Sequence, residues 1–291
     1  MTAWIPQPTQ DGSYTFLSAE FGETFHSTEG AKTEAFQKFV DATALCHKAQ
    51  RPTLTLLDIC YGLGYNTAAA LESIWHINPN CQVEIYGLER DETVPIGAAV
   101  PELLNGWSDK VQEILWDLAH TQTCERQNLS AHLLIGDARQ SIQKLMHQGF
   151  KADAIFLDPF SPRRCPQLWT VEFLGAVAKC LAIDGKLSTY SRSAAVRTAL
   201  LAAGLSIGTI PIENSAVPHE WSQGTVAAWQ SESLLRLSQM EQEHLQTRAA
   251  VPYRDPRLSN GSEEIAAQHQ QEQQQTQLES TSSWRRRWGI H

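Results

Sequence analysis

The chain has 291 residues, 42% of them apolar, and its 23 Lys and Arg against 32 Asp and Glu leave a formal charge of −9. That length fits one large domain or a domain with an extension, and no stretch approaches the roughly 20 uninterrupted apolar residues of a membrane-spanning helix. The six cysteines stand at least 14 residues apart, which excludes a close-spaced metal knuckle and gives no disulfide framework. Residues 1–6 lack the basic and apolar segments of a secretory signal, so a reduced, cytoplasmic protein without a membrane partner is expected. The acidity works against long-range attraction to nucleic acid and suits a positively charged small ligand.

In chain order, residues 1–30 read as short strands or loops packed on a sheet edge. Residues 32–48 place Phe36, Phe39 and Val40 on one face of an amphipathic helix. An apolar, β-rich run at 53–57 is followed by a helical stretch at 67–75 and a second strand at 83–88. Residues 92–130 form an insertion, helical around 110–120. Two further apolar runs, 132–135 and 154–157, each lead to an aspartate. Residues 171–181 carry Leu174, Val177, Ala178 and Leu181 at helical spacing, with Thr170 as N-cap and Gly185 beyond the end. A strand at 186–190, a helix at 194–203 stopped by Gly204, and strands at 206–212 and 225–229 complete the pattern.

Strands alternating with helices predict an α/β fold with a mostly parallel, Rossmann-like sheet. Two closing strands without a long helix between them predict that the last inserts antiparallel. Residues 1–50 then form a cap, 51–230 the sheet domain, and 231–291 a polar, partly helical extension. In that extension seven of the ten residues 268–277 are Gln, and Trp284-Arg285-Arg286-Arg287-Trp288 forms a basic end. There is no internal repeat.

Ligands of open α/β sheets bind beyond the carboxyl ends of the strands, so the residues there are the candidate site. The first strand ends Asp58-Ile59-Cys60-Tyr61-Gly62-Leu63-Gly64-Tyr65-Asn66. This glycine turn lacks the third glycine of the dinucleotide fingerprint, and so favours a ligand without a pyrophosphate. Asp58, Tyr61, Gly62, Gly64 and Asn66 are its candidate cofactor contacts, the glycines permitting close approach to the backbone. Glu89, ending the second strand, is placed to accept ribose hydroxyls. Asp137 with Ala138, ending the third, is placed to meet an adenine amino group. Four acidic strand ends, Asp58, Glu89, Asp137 and Asp158, suit a cationic nucleoside, and S-adenosylmethionine carries a sulfonium, an ammonium and one carboxylate. The competing reading of any single acid is a helix N-cap.

Asp158-Pro159-Phe160 is similar to the Asp/Asn-Pro-Pro-Tyr/Phe motif of methyltransferases that act on nitrogen. Asp158 would accept a hydrogen bond from the target amine and Phe160 would close the site. An ordinary aspartate, with pKa about 3.9, is a weak base, so its expected role is to orient the amine, with water as final proton acceptor. Arg163 and Arg164 directly follow this loop and are candidate substrate contacts. Arg192, Arg197 and Arg285–Arg287 are further candidates for phosphate. The ten histidines form no metal-ligand spacing, so no metal is expected, and no nucleophile elbow is present.

The sequence resembles the methyltransferase part of the MnmC family, over roughly residues 14–230. The resemblance is carried by Phe25-His26-Ser27 through Gly30 and Glu34, the 58–66 turn, Gly136-Asp137-Ala138-Arg139, and above all Phe156-Leu157-Asp158-Pro159-Phe160-Ser161-Pro162. Pro166, Trp169 and the 185–191 strand continue it. The resemblance implies a class I S-adenosylmethionine-dependent enzyme that methylates the 5-aminomethyl group of the tRNA wobble uridine, with tRNA as partner. Bifunctional members carry a second, flavin-dependent oxidase domain for which this chain has no room, so it resembles the stand-alone members. The alternatives are methylation of a small or protein amine, aminopropyl transfer of the spermidine-synthase kind, and a non-catalytic scaffold that binds the cofactor.

Overall fold

The computed structural model describes residues 4–212 and 221–290. Four two-residue strands stand in the N-terminal segment: β1 (Gln7–Pro8), β2 (Tyr14–Thr15), β3 (Leu17–Ser18) and β4 (Glu23–Thr24). They pair antiparallel as β1–β2 and β3–β4. Eight longer strands follow: β5 (Thr53–Ile59), β6 (Gln82–Glu89), β7 (Thr123–Arg126), β8 (Leu129–Ile135), β9 (Ala152–Leu157), β10 (Leu181–Thr189), β11 (Ser206–Ile210) and β12 (Gly224–Ala228). They form one sheet in the order β11-β12-β10-β9-β5-β6-β8-β7. The five strands from β10 to β8 run parallel. β12 inserts antiparallel between β10 and β11, as the missing crossover helix predicted. This is the class I methyltransferase arrangement.

The strand order reverses between β5 and β9, because both directions of winding start from the middle of the sheet. Their carboxyl ends therefore diverge into a crevice. Both strands carry buried residues on two faces, which is why 53–57 and 154–157 read as apolar runs rather than as an alternation. Helix Tyr65–Ile77 buries Ala68, Ala69, Ala70, Leu71 and Ile74, which share one core cluster with Leu54 and Leu56 of β5.

Several local readings are corrected. The 92–130 insertion holds β7, an edge strand antiparallel to β8; three of its four residues are exposed, so it carries no apolar signal. The helix starting at Val171 is capped by Thr170, whose Oγ1 accepts from the Phe173 amide at 3.2 Å. It ends at Lys179, and Leu181 already belongs to β10. Gly185 lies inside that strand, at an irregularity in its pairing with β9. The cap helix is interrupted: Ala31–Glu34 continues as a π-helical segment, Ala35–Asp41, and Ala44 takes a left-handed conformation (φ 56°) before Leu45–Lys48.

The extension is docked rather than loose. Its helices are Gln239–His244, Ser262–Gln275 and Thr281–Trp288. Ile265 and Tyr253 join the core beneath β9 and β10. Trp284 stacks on His244 at 4.3 Å between ring centroids and also meets Trp221. Among the described residues, no helix is long and apolar enough to cross a membrane.

Candidate functional site

A cavity of about 1210 Å³ opens beyond the carboxyl ends of β5, β6, β8 and β9, roofed by the N-terminal cap. Six predicted site residues line it: Gly62, Glu89, Asp137, Ala138, Asp158 and Phe160. Asp58 and Asn66 stand behind this wall, both almost fully buried.

The Gly62 turn is built around Glu89. Its Oε2 accepts from the Gly62 amide at 2.9 Å, and Oε1 accepts from the amides of Arg90 (2.7 Å) and Asp91 (2.9 Å). A carboxylate has about four acceptor positions, so one remains on Oε2 for a ligand hydroxyl. Burial holds the Glu89 pKa above its ordinary value against these three bonds. At Gly62, φ is +56° and an added Cβ would meet Phe25 at 3.2 Å, which ties the turn to the roof of the cavity.

Asp58 and Asn66, both buried, form a polar cluster with the half-buried Asp158. Thr67 Oγ1 donates to Asp58 Oδ2 at 2.7 Å, and Asn66 Nδ2 donates to Asp158 Oδ2 at 3.0 Å. Asp58 Oδ1 and Asn66 Oδ1 are enclosed without a hydrogen-bond partner among the described residues. Burial pushes the Asp58 carboxyl up to about 7, with the Glu89 charge adding to it. Burial, joined by the Glu34 charge, pushes Asp158 well above the carboxylate range. Enclosed acids of this kind favour a ligand that brings positive charge.

Phe160 meets the cap directly. Its ring stacks on Phe21 at 4.4 Å and meets Phe25 edge-on at 5.0 Å. The Glu23 carboxylate accepts from Ser161, 2.9 Å from its amide and 2.5 Å from its hydroxyl, locking the roof to the 158–162 loop. Tyr190 donates its hydroxyl to the Pro159 carbonyl at 2.8 Å, and the Trp169 indole donates to the Phe160 carbonyl at 2.9 Å. The loop is thus held from both sides, with the Asp158 side chain turned to the cavity.

Asp137 is the N-cap of helix Ala138–His147, its Oδ1 accepting from the Arg139 amide at 2.9 Å. The Arg139 guanidinium also grips both carboxylate oxygens. Burial alone would raise the Asp137 pKa, but these bonds outweigh it and the carboxyl stays low. The capping role set against ligand binding in the sequence is therefore present, while the residue still faces the cavity.

Some predicted residues lie elsewhere. A Cβ at Gly64, where φ is +81°, would stand 2.6 Å from Tyr61 Oη and 3.1 Å from Leu115. Tyr61 fills that space as a buried core residue, so this glycine is required by the chain's own packing. Arg163 and Arg164 are exposed on the loop beside the cavity and, among the described residues, have no ion-pair partner. Arg197 cannot reach a phosphate: it is fully buried and paired with Glu241 at 2.9 Å. Arg287 is engaged by Glu243 and Glu279.

The composition gave no signal for four other lining residues, although three of them fell in the segments that carry the resemblance. Lys38 and Glu34 pair at 2.6 Å on the wall near Asp158. His26 is kept neutral by burial, which pulls its pKa down to about 4. Cys60, at φ 68°, lines the wall after β5.

Comparison with known proteins decides the family. The crystal structure of MnmC2 from Aquifex aeolicus superposes with a TM-score of 0.80 at 31% identity, covering 95% of this chain and 87% of that one. The chain belongs to the MnmC-like family of methyltransferases. Residues 101–213 match the family described as S-adenosyl-L-methionine-dependent methyltransferase, and that compound is the cofactor. The bifunctional protein MnmC of Aromatoleum aromaticum is 31% identical over 213 residues, 70% of this chain but 32% of its own length. An uncharacterized protein of Methanocaldococcus jannaschii is 29% identical over 266 residues, 88% of this chain and 69% of that protein. The chain thus spans about a third of the bifunctional MnmC-like relative. The two enclosed orphan oxygens, the free position on Glu89 and the buried acids fit a cationic nucleoside with hydroxyls to donate.

Proposed function

We propose that this MnmC-like methyltransferase transfers the methyl group of S-adenosylmethionine to the primary amine of 5-aminomethyluridine, with or without 2-thiolation, at the wobble position of tRNA. The observation that carries this reading is Asp158, a half-buried acid on the cavity wall held by Asn66 and flanked by the Phe160 ring. Its support from relatives is the name of the Aromatoleum aromaticum protein, tRNA 5-methylaminomethyl-2-thiouridine biosynthesis bifunctional protein MnmC. In this reading Glu89 holds the ribose hydroxyls, Asp137 and Ala138 meet the adenine, and the 58–66 turn receives the methionine end.

The bound cofactor supplies an electrophilic methyl group on a sulfonium. Asp158 accepts a hydrogen bond from the amine and aims its lone pair at that carbon. Burial and the Glu34 charge raise the Asp158 pKa, so its ionised form is a stronger base than a solvated aspartate. Besides orienting the amine, it takes the proton that the nitrogen sheds as the nitrogen–carbon bond forms. Phe160 and the cap keep water from the reacting nitrogen.

The net charge of −9 favours one second reading, methylation of a small or protein amine without nucleic acid. Methyl-labelled cofactor, offered with tRNA bearing wobble 5-aminomethyluridine and separately with a panel of primary amines, tests the two. The tRNA reading expects label in tRNA alone. Label confined to the free amines overturns it.

A further inference from the structure

We infer that the C-terminal extension is part of the cofactor site: its segment 253–262 braces the cavity wall formed by Arg139 and Gln167. The extension reaches that wall at two independent points. Asp255, fully buried, accepts from Arg139 Nη1 at 3.0 Å, and the Asn260 carbonyl accepts from the same nitrogen at 2.9 Å. Farther along, Ser262 donates its hydroxyl to Gln167 Oε1 at 2.8 Å. Arg139 and Gln167 both line the cavity.

The brace is itself anchored. The Asp255 amide and the Arg254 side chain both bond Glu172, each at 2.7 Å. The Val171 amide donates to the Tyr253 carbonyl at 3.0 Å, and Tyr253 stacks on His269 at 3.9 Å. Asp255 Oδ1 is engaged by the amides of Ser259 and Asn260. This leaves Oδ2 aimed at Arg139.

The consequence lies in what Arg139 does at its other end. Its Nε and Nη2 hold both oxygens of Asp137, so its single side chain bridges the extension and the cavity carboxylate. Without Asp255, the partly buried Arg139 guanidinium would have one carboxylate and one carbonyl in place of three acceptor groups. It would then be free to swing, taking Asp137 with it. Asp255 is therefore a positioning residue for cofactor binding, although it does not line the cavity. This role concerns the cofactor alone and holds whatever the methyl acceptor proves to be.

The test is the affinity of the full chain for S-adenosylmethionine, measured by calorimetry alongside thermal melts. Asp255→Asn keeps the shape but turns a donor toward Arg139, and is expected to weaken binding about tenfold. Trp284→Ala removes a buried ring from another part of the extension; it should lower the melting temperature and leave cofactor affinity within twofold. Coupling is reciprocal, so cofactor must also tighten the brace. In the wild-type protein, saturating cofactor is expected to slow hydrogen exchange at the Ser259 and Asn260 amides. Equal loss of affinity in both variants, unchanged affinity in folded Asp255→Asn, or exchange at 259–260 indifferent to cofactor would each overturn the inference.

Discussion

Asn66 donates its side-chain amide to Asp158 at 3.0 Å, so a residue in the first turn of the helix after β5 holds the acid that ends β9. The cofactor turn and the amine loop are thereby coupled through one hydrogen bond. Asn66 offers its donor to whichever charge state Asp158 adopts, and fixes the carboxyl's direction in both. In Asp158→Asn the carboxyl becomes an amide that cannot take a proton. Turnover is expected to fall about 10²-fold or more, within the range for positioned acid–base groups, with cofactor affinity changed only a few fold. Single-turnover rates with calorimetry of the cofactor check this; a near wild-type rate removes Asp158 from the chemistry.

Glu89 has two duties that substitution can separate. Glu89→Ala strips acceptors from three backbone amides, each costing about 1–3 kcal/mol when left buried, so it should lower the melting temperature as well as cofactor affinity. Glu89→Gln keeps an acceptor for Arg90 and Asp91 but loses the charge and the free Oε2 position. Its affinity for S-adenosylmethionine is expected to fall at least tenfold, the equivalent of about 1.4 kcal/mol. Calorimetric affinity within twofold of wild type would show that Glu89 only braces the Gly62 turn.

Cofactor binding should depend on pH through Asp58. Its carboxyl is pushed from the ordinary 3.8 up to about 7, first by burial and further by Glu89. A cationic ligand favours the ionised form, so binding releases a proton and affinity rises as pH climbs toward about 7, then levels. The fold has the opposite slope. The unfolded chain ionises this aspartate near 3.8, so Asp58's contribution to stability is lost as pH rises from there to about 7. Asp58→Asn should flatten both dependences. Proton release is read by calorimetry in buffers of different ionisation heat, and stability by thermal melts across the same range. No proton release in the wild-type protein would contradict the assignment.

Exposed and without ion-pair partners among the described residues, Arg163 and Arg164 stand beside the 158–162 loop. If tRNA docks there, Arg163→Glu with Arg164→Glu should weaken tRNA binding and reduce the slope of log affinity against log salt by about two, roughly one for each lost phosphate contact. Cofactor affinity should not change. A salt titration giving wild-type slope and affinity would place the nucleic acid elsewhere or exclude it.

What could be read from the sequence was what repeats or terminates. Four of the five parallel strands announced themselves through apolar runs leading to acids, and the antiparallel insertion of β12 through a missing helix. What escaped depended on partners distant in sequence. β7 is an exposed edge strand with no apolar pattern. The Gln-rich helix 262–275 reads as polar because a single residue, Ile265, is buried. Arg139 lay inside a quoted motif, but its importance comes from Asp255, 116 residues away. Gly64 reads in the sequence as a glycine kept bare for the approach of a cofactor, and the packing of Tyr61 against it belongs to the fold alone. The raised pKa of Asp158 likewise comes from burial, which no residue type announces.

The most direct measurement is mass spectrometry of nucleosides from tRNA bearing wobble 5-aminomethyluridine, after a single turnover with the purified protein and S-adenosylmethionine. The account predicts conversion to 5-methylaminomethyluridine, a gain of one methyl on the side-chain nitrogen, and loss of that conversion in folded, cofactor-binding Asp158→Asn. An unchanged wobble nucleoside, with the wild-type protein folded and saturated with cofactor, would contradict it.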